Sequence, residues 1–595
     1  MSDLRSRVEE ILPFVRTPGQ YVGRELNAIV KDPASTTVSF CLAFPETYEL
    51  GMSHVGLKIL YEVLNRRDDV RAERCFAPWV DMAAQMREKD VPLWSLETYT
   101  PVRAFDCVGF SLQYELLYSN VLAMLELARI PVSSADRTDD DPIVIAGGPG
   151  AYNPEPTAEF FDAFVIGDGE EAVLDIADVL AESRGAPRAD RLLRLASVGG
   201  VYVPRFYDVS YGDGGRVASV RPNRDGVPER VEKRVVRDLD SAPYPVAPVV
   251  PFVETVHDRY AIEIMRGCVN ACRFCQATVN YRPRRERSLE KIIELAREGV
   301  KRTGFDEVGL LSLSSADYSR FGELARRLSD ELGEGGVSLS LPSLRIDSLL
   351  KDVPRAVRGP RRSGMTIAPE CASDRLRAVI AKPILNADLY ATVKAAYEEG
   401  WETVKLYFMI GLPGETDEDV RGIAEMANEV CYLRKRLGKS PAKVNLSVST
   451  FVPKAHTPFQ WEAMASREEI ARRQEIVKKG LRGGRIKASF HDVETTMLEG
   501  AFSRGDRRLA KVLRGARARG CVFDAWSEHL KPEVWREAFA AVGIDADAYA
   551  ARARDDDEVL PWSHIDGGAT PAYLAKQRDA ARAAVAENGS DNDNG

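Results

Sequence analysis

No stretch of this chain approaches the roughly 18 uncharged apolar residues that a membrane-spanning helix needs. Nor does the N-terminus, Met1-Ser2-Asp3-Leu4-Arg5-Ser6-Arg7-Val8-Glu9-Glu10, hold the apolar run of a secretory leader. Together these absences predict a cytoplasmic protein with no membrane partner. Neither sign of charge dominates: 81 Lys and Arg against 90 Asp and Glu give −9. That balance argues against a surface coated uniformly in nucleic acid and leaves room for local basic patches. Cysteine is sparse, and nine in 595 residues make a poor disulfide framework. Six (Cys41, Cys75, Cys107, Cys371, Cys431, Cys521) are scattered, and the other three lie within eight residues. A chosen three-position pattern at that frequency arises on the order of 0.002 times per chain, so the cluster points to metal or catalysis.

The chain is too long for one core, and two to four domains are expected. Residues 1–35 are a mostly polar lead-in. From 36 to 185, strand patterns at Thr37–Phe44, Cys107–Leu112, Ile143–Ala146 and Ala163–Ile166 alternate with helical ones. The helical patterns cover Gly56–Leu64, Leu116–Leu127 and a stretch through Val173, Ile176 and Val179. Such alternation predicts an α/β domain with a doubly wound, Rossmann-like parallel sheet. Residues 186–250 read as a β-rich connector with a Gly212-Asp213-Gly214-Gly215 turn. Within 251–480, strand patterns recur at Tyr260–Met265, Glu307–Leu313, Ser338–Leu341, Gly364–Ile367, Thr403–Met409 and Val444–Thr450. Six units suit a partial (β/α)6 TIM-type barrel. Residues 481–580 form a helical C-terminal extension, and 581–595 read as a disordered tail.

Chemistry concentrates at Arg266-Gly267-Cys268-Val269-Asn270-Ala271-Cys272-Arg273-Phe274-Cys275-Gln276, directly after a predicted strand, where barrel folds place reactive groups. Three thiolates at this spacing can wrap one corner of a [4Fe–4S] cubane, each holding one iron and leaving the fourth iron open. Electron carriers use four cysteines, and structural zinc wants a closed set of four ligands. Two other readings stay open. One is a zinc site completed by His257 or a distant cysteine; the other is a non-catalytic cluster serving as a scaffold or electron-transfer centre.

The run Cys268-x3-Cys272-x-Phe274-Cys275 resembles the signature of the radical S-adenosylmethionine (SAM) superfamily, aromatic residue included. The resemblance implies an enzyme whose open iron chelates the amino and carboxylate groups of SAM. An electron from the cluster then cleaves the sulfonium to methionine and a 5′-deoxyadenosyl radical. It also implies a reductant such as flavodoxin or ferredoxin. Leu406-Tyr407-Phe408-Met409-Ile410-Gly411-Leu412-Pro413-Gly414-Glu415-Thr416 is similar to the late-barrel strand and turn that flank the adenine of SAM. Gly411, Gly414, Glu415 and Phe274 are therefore implied SAM contacts, and Thr416 with Asp419 reads as a capping box. Thr366-Ile367-Ala368-Pro369-Glu370, with Ser373 to Arg377 and Lys382, resembles the fourth-strand region. Glu370 is then an implied SAM contact, against the plainer reading of an exposed helix-start acid. Ser314, Ser315 and Arg345 stand just beyond strands two and three, where relatives hold the methionine and ribose of SAM. Cys371 departs from the small residue usual after that Pro-Glu. It reads either as a catalytic thiol carrying a radical or methyl group, or as a buried inert one.

Ala146-Gly147-Gly148-Pro149-Gly150-Ala151 and Asp162-Ala163-Phe164-Val165-Ile166-Gly167-Asp168-Gly169-Glu170-Glu171 resemble the cobalamin-binding-type domain that precedes many radical SAM domains. Ser111 stands at a strand end, as the tail-binding serine does there. Ser111, Gly147 and Gly148 are thus implied cobalamin contacts. The ligating pattern Asp-x-His-x-x-Gly is absent, and His54 in Met52-Ser53-His54-Val55-Gly56 does not fit it. Cobalamin would bind without a histidine lower ligand, making methyl transfer available, or the domain has lost it. The run from Pro45 to Leu64 is similar to one subgroup, a bacterial cobalamin-domain radical SAM family of unassigned substrate. With both domains and Arg504-Gly505-Asp506-Arg507-Arg508, that resemblance spans most of residues 15–575. Some relatives carry a further C-terminal domain, a place that a separate partner protein would fill here.

The substrate is the least legible part. Residues 472–519 hold 14 Lys and Arg against 5 Asp and Glu. On a helix from Arg504 to Arg519, Arg507, Lys511 and Arg514 share one face. That face suits either RNA phosphates or plain solvent. Tyr281-Arg282-Pro283-Arg284-Arg285-Glu286-Arg287 leaves the same choice open, with a small anionic metabolite as a third occupant.

Overall fold

Strand β1 (Val38–Phe44) is buried along its whole length in a computed structural model of the chain, which describes residues 2–333, 335–340 and 364–590. A strand apolar on both faces belongs inside a parallel sheet covered by helices. It pairs in parallel with β2 (Val70–Phe76) and β3 (Cys107–Ser111). Parallel strands β4 (Ile143–Gly147) and β5 (Ala163–Val165) follow, and β6 (Val201–Tyr202) closes the edge antiparallel. The order β2-β1-β3-β4-β5-β6 reverses direction between β1 and β3. Such a switch point opens a crevice at the carboxyl ends of the strands. The doubly wound sheet expected from the sequence is there.

Strand β2 was not anticipated, because Arg71, Glu73 and Arg74 interrupt its apolar character. All three are nevertheless buried, and each is paired. Arg74 reaches Glu97 at 2.6 Å and Glu25 at 2.9 Å, and Arg71 reaches Glu73 at 2.5 Å. Breaking such a network strands charges in a poorly solvated interior. Arg74→Ala should therefore lower stability by about 3–5 kcal/mol, read as a fall in the urea midpoint.

Helix Tyr118–Leu127 is buried almost all round, because the sheet covers one side and helix Leu509–Ala518 of the C-terminal extension lies against another. The connecting region begins with helix Arg188–Ala196 and continues as a hairpin, β7 (Tyr207–Tyr211) with β8 (Val217–Pro222), that turns at the expected glycines. Strand β9 (Val231–Glu232) follows.

The second half begins with β10 (Tyr260–Glu263), then a short antiparallel pair, β11 (Met265–Arg266) and β12 (Arg285–Glu286). Parallel strands β13 (Glu307–Leu311), β14 (Ser338–Ser340), β15 (Met365–Glu370), β16 (Thr403–Ile410), β17 (Lys443–Thr450) and β18 (Ile486–Phe490) complete it. A single six-stranded partial barrel was expected, and the pairing differs. Among the described residues the strands form two sheets, β10-β13-β14 and β15-β16-β17-β18, with no pairing between β14 and β15. The additional strand, β18, is mostly exposed and carries Lys487 and Ser489, so it lacks the apolar run that marks the others.

The extension is helical, as expected, with β19 (Ile565–Asp566) returning to pair with β9. Two expectations fail here. Residues 581–590 are not a disordered tail: helix Pro571–Ser590 runs through them, with Ala581 buried. The span Arg504 to Arg519 is not one helix with a free basic face. Helices Val493–Arg504 and Leu509–Ala518 break at Gly505, and most of the arginines are taken up in ion pairs. Arg507 pairs with Glu155 at 2.9 Å, Arg514 with Glu159 at 2.7 Å and Arg517 with Glu126 at 2.7 Å. These bridges fasten the extension to the first domain, and of the named face Lys511 and Arg514 stay exposed, Arg514 as the outer member of its ion pair. No described helix is long and apolar enough to cross a membrane.

Burial lowers His54, His456 and His564 from 6.5 to about 4 each, so all three fold as neutral rings. Below pH 6.5 the unfolded chain takes up protons that the folded chain refuses. Their contribution, roughly 3 kcal/mol apiece, is intact above pH 6.5 and is lost as pH falls toward 4. Urea midpoints measured across that window should fall steadily.

Candidate functional site

The cysteine loop is pinned at both ends by the β11–β12 pair. At its start, Gly267 has φ +90, and an added Cβ would lie 2.7 Å from the Tyr281 carbonyl oxygen, so only glycine lets the loop close. Cys268 and Cys272 are buried, Cys275 is half-buried, and all three thiols are free. Burial pushes Cys272 up to about 12, with Cys275, Glu370 and Cys268 acting in the same direction and Lys382 opposing. Cys275 is raised by burial and also feels Cys268 and Glu370. The three thiols and Glu370 thus share one electrostatic neighbourhood. Asn270 donates an amide N–H toward the sulfur of Cys268 at 3.6 Å.

Among the described residues, no three His, Cys, Asp or Glu side chains gather round a point where one ion could sit. Three cysteines supply one thiolate to each of three irons of a cluster, whereas a structural zinc ion takes four ligands. His257, the alternative zinc ligand, lies instead in a cavity wall beside Arg259.

Around the loop the structure assembles most of the residues singled out in the sequence. Glu370 ends β15 at φ +69, a backbone conformation costly for a non-glycine residue and typical of functional positions. Its carboxylate accepts from Lys382 Nζ at 3.1 Å, and burial still raises it above the ordinary carboxylate range. Arg273 clamps the loop to the next helix end, donating to the carbonyls of Val379 at 2.5 Å and Ala378 at 3.1 Å. Phe274 packs into an apolar cluster with Leu376, Met409, Leu412, Phe451 and Cys371. In that surrounding Cys371 is 1% exposed and its thiol is pushed up by burial.

The turn after β16 reaches the same cluster through Met409 and Leu412. Gly411 and Gly414 both have positive φ, and the Thr416–Asp419 capping box opens helix Asp417–Arg436 as expected. Glu415 accepts from the Gly411 N–H at 2.7 Å and pairs with Arg473 at 2.5 Å, which commits that carboxylate to shaping the turn. Burial raises Glu415 to about 7. The C-terminal helix covers this region: Val585 lies against Gly414, and Gln577 meets Arg273. Ser314 is buried with its hydroxyl unpartnered among the described residues, and Ser315 shares a hydrogen bond with Ser312 at 2.9 Å. Arg345 lies outside the described residues.

On the other side of the loop, a cavity of about 580 Å³ separates the carboxyl ends of the first sheet from the second half of the chain. Ser111, Gly147, Gly148 and Gly167 line one wall; Met265 and Tyr281 line the other. A Cβ at Gly148, where φ is +96, would meet the Leu112 carbonyl oxygen at 2.7 Å. His54 sits in the wall as the cap of helix Val55–Asn65, its Nδ1 accepting from the Leu57 N–H.

The joint between the two halves was not legible in the sequence. Arg266, the residue before Gly267, reaches Asp168 at 3.0 Å, Glu170 at 2.6 Å and Glu263 at 2.9 Å. Arg285 meets the same Asp168. The Gly167-Asp168-Gly169-Glu170 turn therefore fastens the first domain to both ends of the cysteine loop.

A family model described as the N-terminal part of radical SAM proteins matches residues 56–204, and that of the radical SAM superfamily matches 262–427. The chain belongs to the radical SAM superfamily. Radical SAM enzymes use a [4Fe–4S] cluster and SAM and draw their electron from an external reductant. MJ0966 of Methanocaldococcus jannaschii, described as uncharacterized, is 32% identical over 477 residues, covering 79% of this chain and 90% of the relative. Among solved structures, the radical SAM methyltransferase TsrM from Kitasatospora setae, with cobalamin and a [4Fe–4S] cluster bound, is 14% identical. It covers 69% of this chain and 74% of TsrM, with a TM-score of 0.46. OxsB, a cobalamin-dependent SAM radical enzyme with aqua-cobalamin bound, is 12% identical, covers 93% of this chain and 80% of its own, and has a TM-score of 0.47.

Proposed function

We propose that Cys268, Cys272 and Cys275 hold three irons of a [4Fe–4S] cluster, with SAM lying between that cluster and the Gly411–Glu415 turn. We further propose that the interdomain cavity takes a corrinoid and that the enzyme transfers methyl groups to a small anionic substrate. The observation that carries this reading is the placement of the thiol loop, with the Glu370–Lys382 pair beside it and the 580 Å³ cavity behind it.

When bound, the cluster and SAM supply a 5′-deoxyadenosyl radical, and a corrinoid supplies methyl-transfer chemistry. The protein's own groups orient and enclose. Asn270 directs an N–H at the sulfur of Cys268, supporting a ligand that carries negative charge. Glu370, fixed by Lys382, would accept a hydrogen bond from an N–H of the amino group of SAM. Phe274 and its apolar cluster keep water from the thiols. Gly147 and Gly148 let a flat ring approach the strand ends, and Ser111 offers a hydroxyl there.

An open cleft beside Cys268 and Val269, lined by Lys233, Arg282 and Arg284 as well as Glu232 and Asp566, supports an anionic substrate through its excess of cations. RNA is the less supported substrate, since Arg507 and Arg514 are engaged within the fold. Nine free cysteines suit a reducing compartment such as the cytoplasm, where flavodoxin or ferredoxin would act as donor. Anaerobic reconstitution tests the reading: about four irons per chain and reductant-dependent 5′-deoxyadenosine from SAM are expected. Iron binding without SAM cleavage would overturn it.

A further inference from the structure

The cavity wall holds several cations, and the fold gives all but one of them a partner among the described residues. Arg266 meets Asp168, Glu170 and Glu263, and Arg259 meets Glu307 at 2.7 Å and Ser340 at 2.9 Å. His54 is neutral and engaged as a helix cap. Lys58, one turn into helix Val55–Asn65, makes no hydrogen bond or salt bridge among the described residues, although it lines the cavity. Burial lowers it to about 8, Arg74 pushes it further down, and the Asp258 carboxylate opposes them. An ammonium held this way gains when a ligand brings it an anion, because the ligand restores the solvation that burial removed.

The cavity lies at the carboxyl ends of β1, β3 and β4, where the bare backbones of Gly147 and Gly148 admit a large ligand. The part of that ligand nearest helix Val55–Asn65 must be the anionic part. We propose that Lys58 binds the phosphodiester of the nucleotide tail of a corrinoid seated in this cavity. This rests on the corrinoid reading above and adds to it the group that anchors the tail. The contact fixes the cofactor by its periphery, as a site without a histidine ligand to the metal requires.

Three probes separate the parts of the idea: aquacobalamin, cobinamide phosphate and cobinamide, which lacks the phosphate. Binding to the full-length protein is followed by corrinoid absorbance in equilibrium dialysis. The wild type should bind cobinamide phosphate about tenfold more tightly than cobinamide. Lys58→Gln should erase that difference and weaken aquacobalamin by a similar factor, leaving cobinamide unchanged. Lys58→Arg should restore most of the loss. Equal wild-type affinity for cobinamide and its phosphate would overturn the role of Lys58 without any variant, and so would Lys58→Gln losing cobinamide equally. A wild type that binds none of the three would overturn the corrinoid reading and the tail contact with it.

Discussion

Triple replacement of Cys268, Cys272 and Cys275 by alanine is expected to leave the anaerobically purified protein without iron or sulfide and without SAM cleavage. Each single alanine variant should lose at least about a hundredfold in 5′-deoxyadenosine formation, since even outer-shell changes at metal sites cost ten- to a hundredfold. Cys371→Ala is the control. Its thiol is buried in the apolar cluster with Phe274, and the charges that act on it are those of Arg377, Glu415, Asp419 and Glu370 rather than the loop thiols. It should keep a full iron load, with a modest fall in stability from the lost packing. Iron and sulfide analysis of the five variants checks this, and a full load in the triple variant would contradict it.

Arg266→Met is the second large effect. The guanidinium is 10% exposed and faces Asp168, Glu170 and Glu263, themselves 7%, 7% and 13% exposed. Removing it leaves Glu170 without an arginine and weakens the hold on the other two, a change of about 3–5 kcal/mol. Because Gly267 and Cys268 follow directly, the loop should also lose its register, and iron incorporation should fall together with the urea midpoint. Arg284→Met, at a side chain 43% exposed, should change stability by less than about 0.5 kcal/mol. Equal, small effects from both substitutions would show that the joint does not position the loop.

What could be read in the sequence follows a physical line. Strands β1, β3 and β4 are apolar runs bounded by turn residues, and such runs announce themselves. So does the thiol trio, because local spacing alone sets its geometry. Strand β2 stayed hidden because its buried charges are neutralised by Glu25 and Glu97, which are distant in sequence. Strand β18 stayed hidden because an exposed edge strand needs no apolar pattern. The basic stretch through Arg507 and Arg514 misled for a related reason: net local charge says nothing about whether Glu155 and Glu159 wait across a domain boundary. Arg266 was quoted within the cysteine motif, yet its role is visible only when the Asp168 turn is brought beside it.

The central claim is that one iron corner at the thiol loop is vacant and takes SAM. Electron paramagnetic resonance of the reduced, reconstituted protein, recorded with and without SAM, tests it most directly. A changed spectrum on adding SAM, absent in Glu370→Gln at the same SAM concentration, is the predicted result. A wild-type spectrum indifferent to saturating SAM would mean that no iron is open to it, and the assignment would fall.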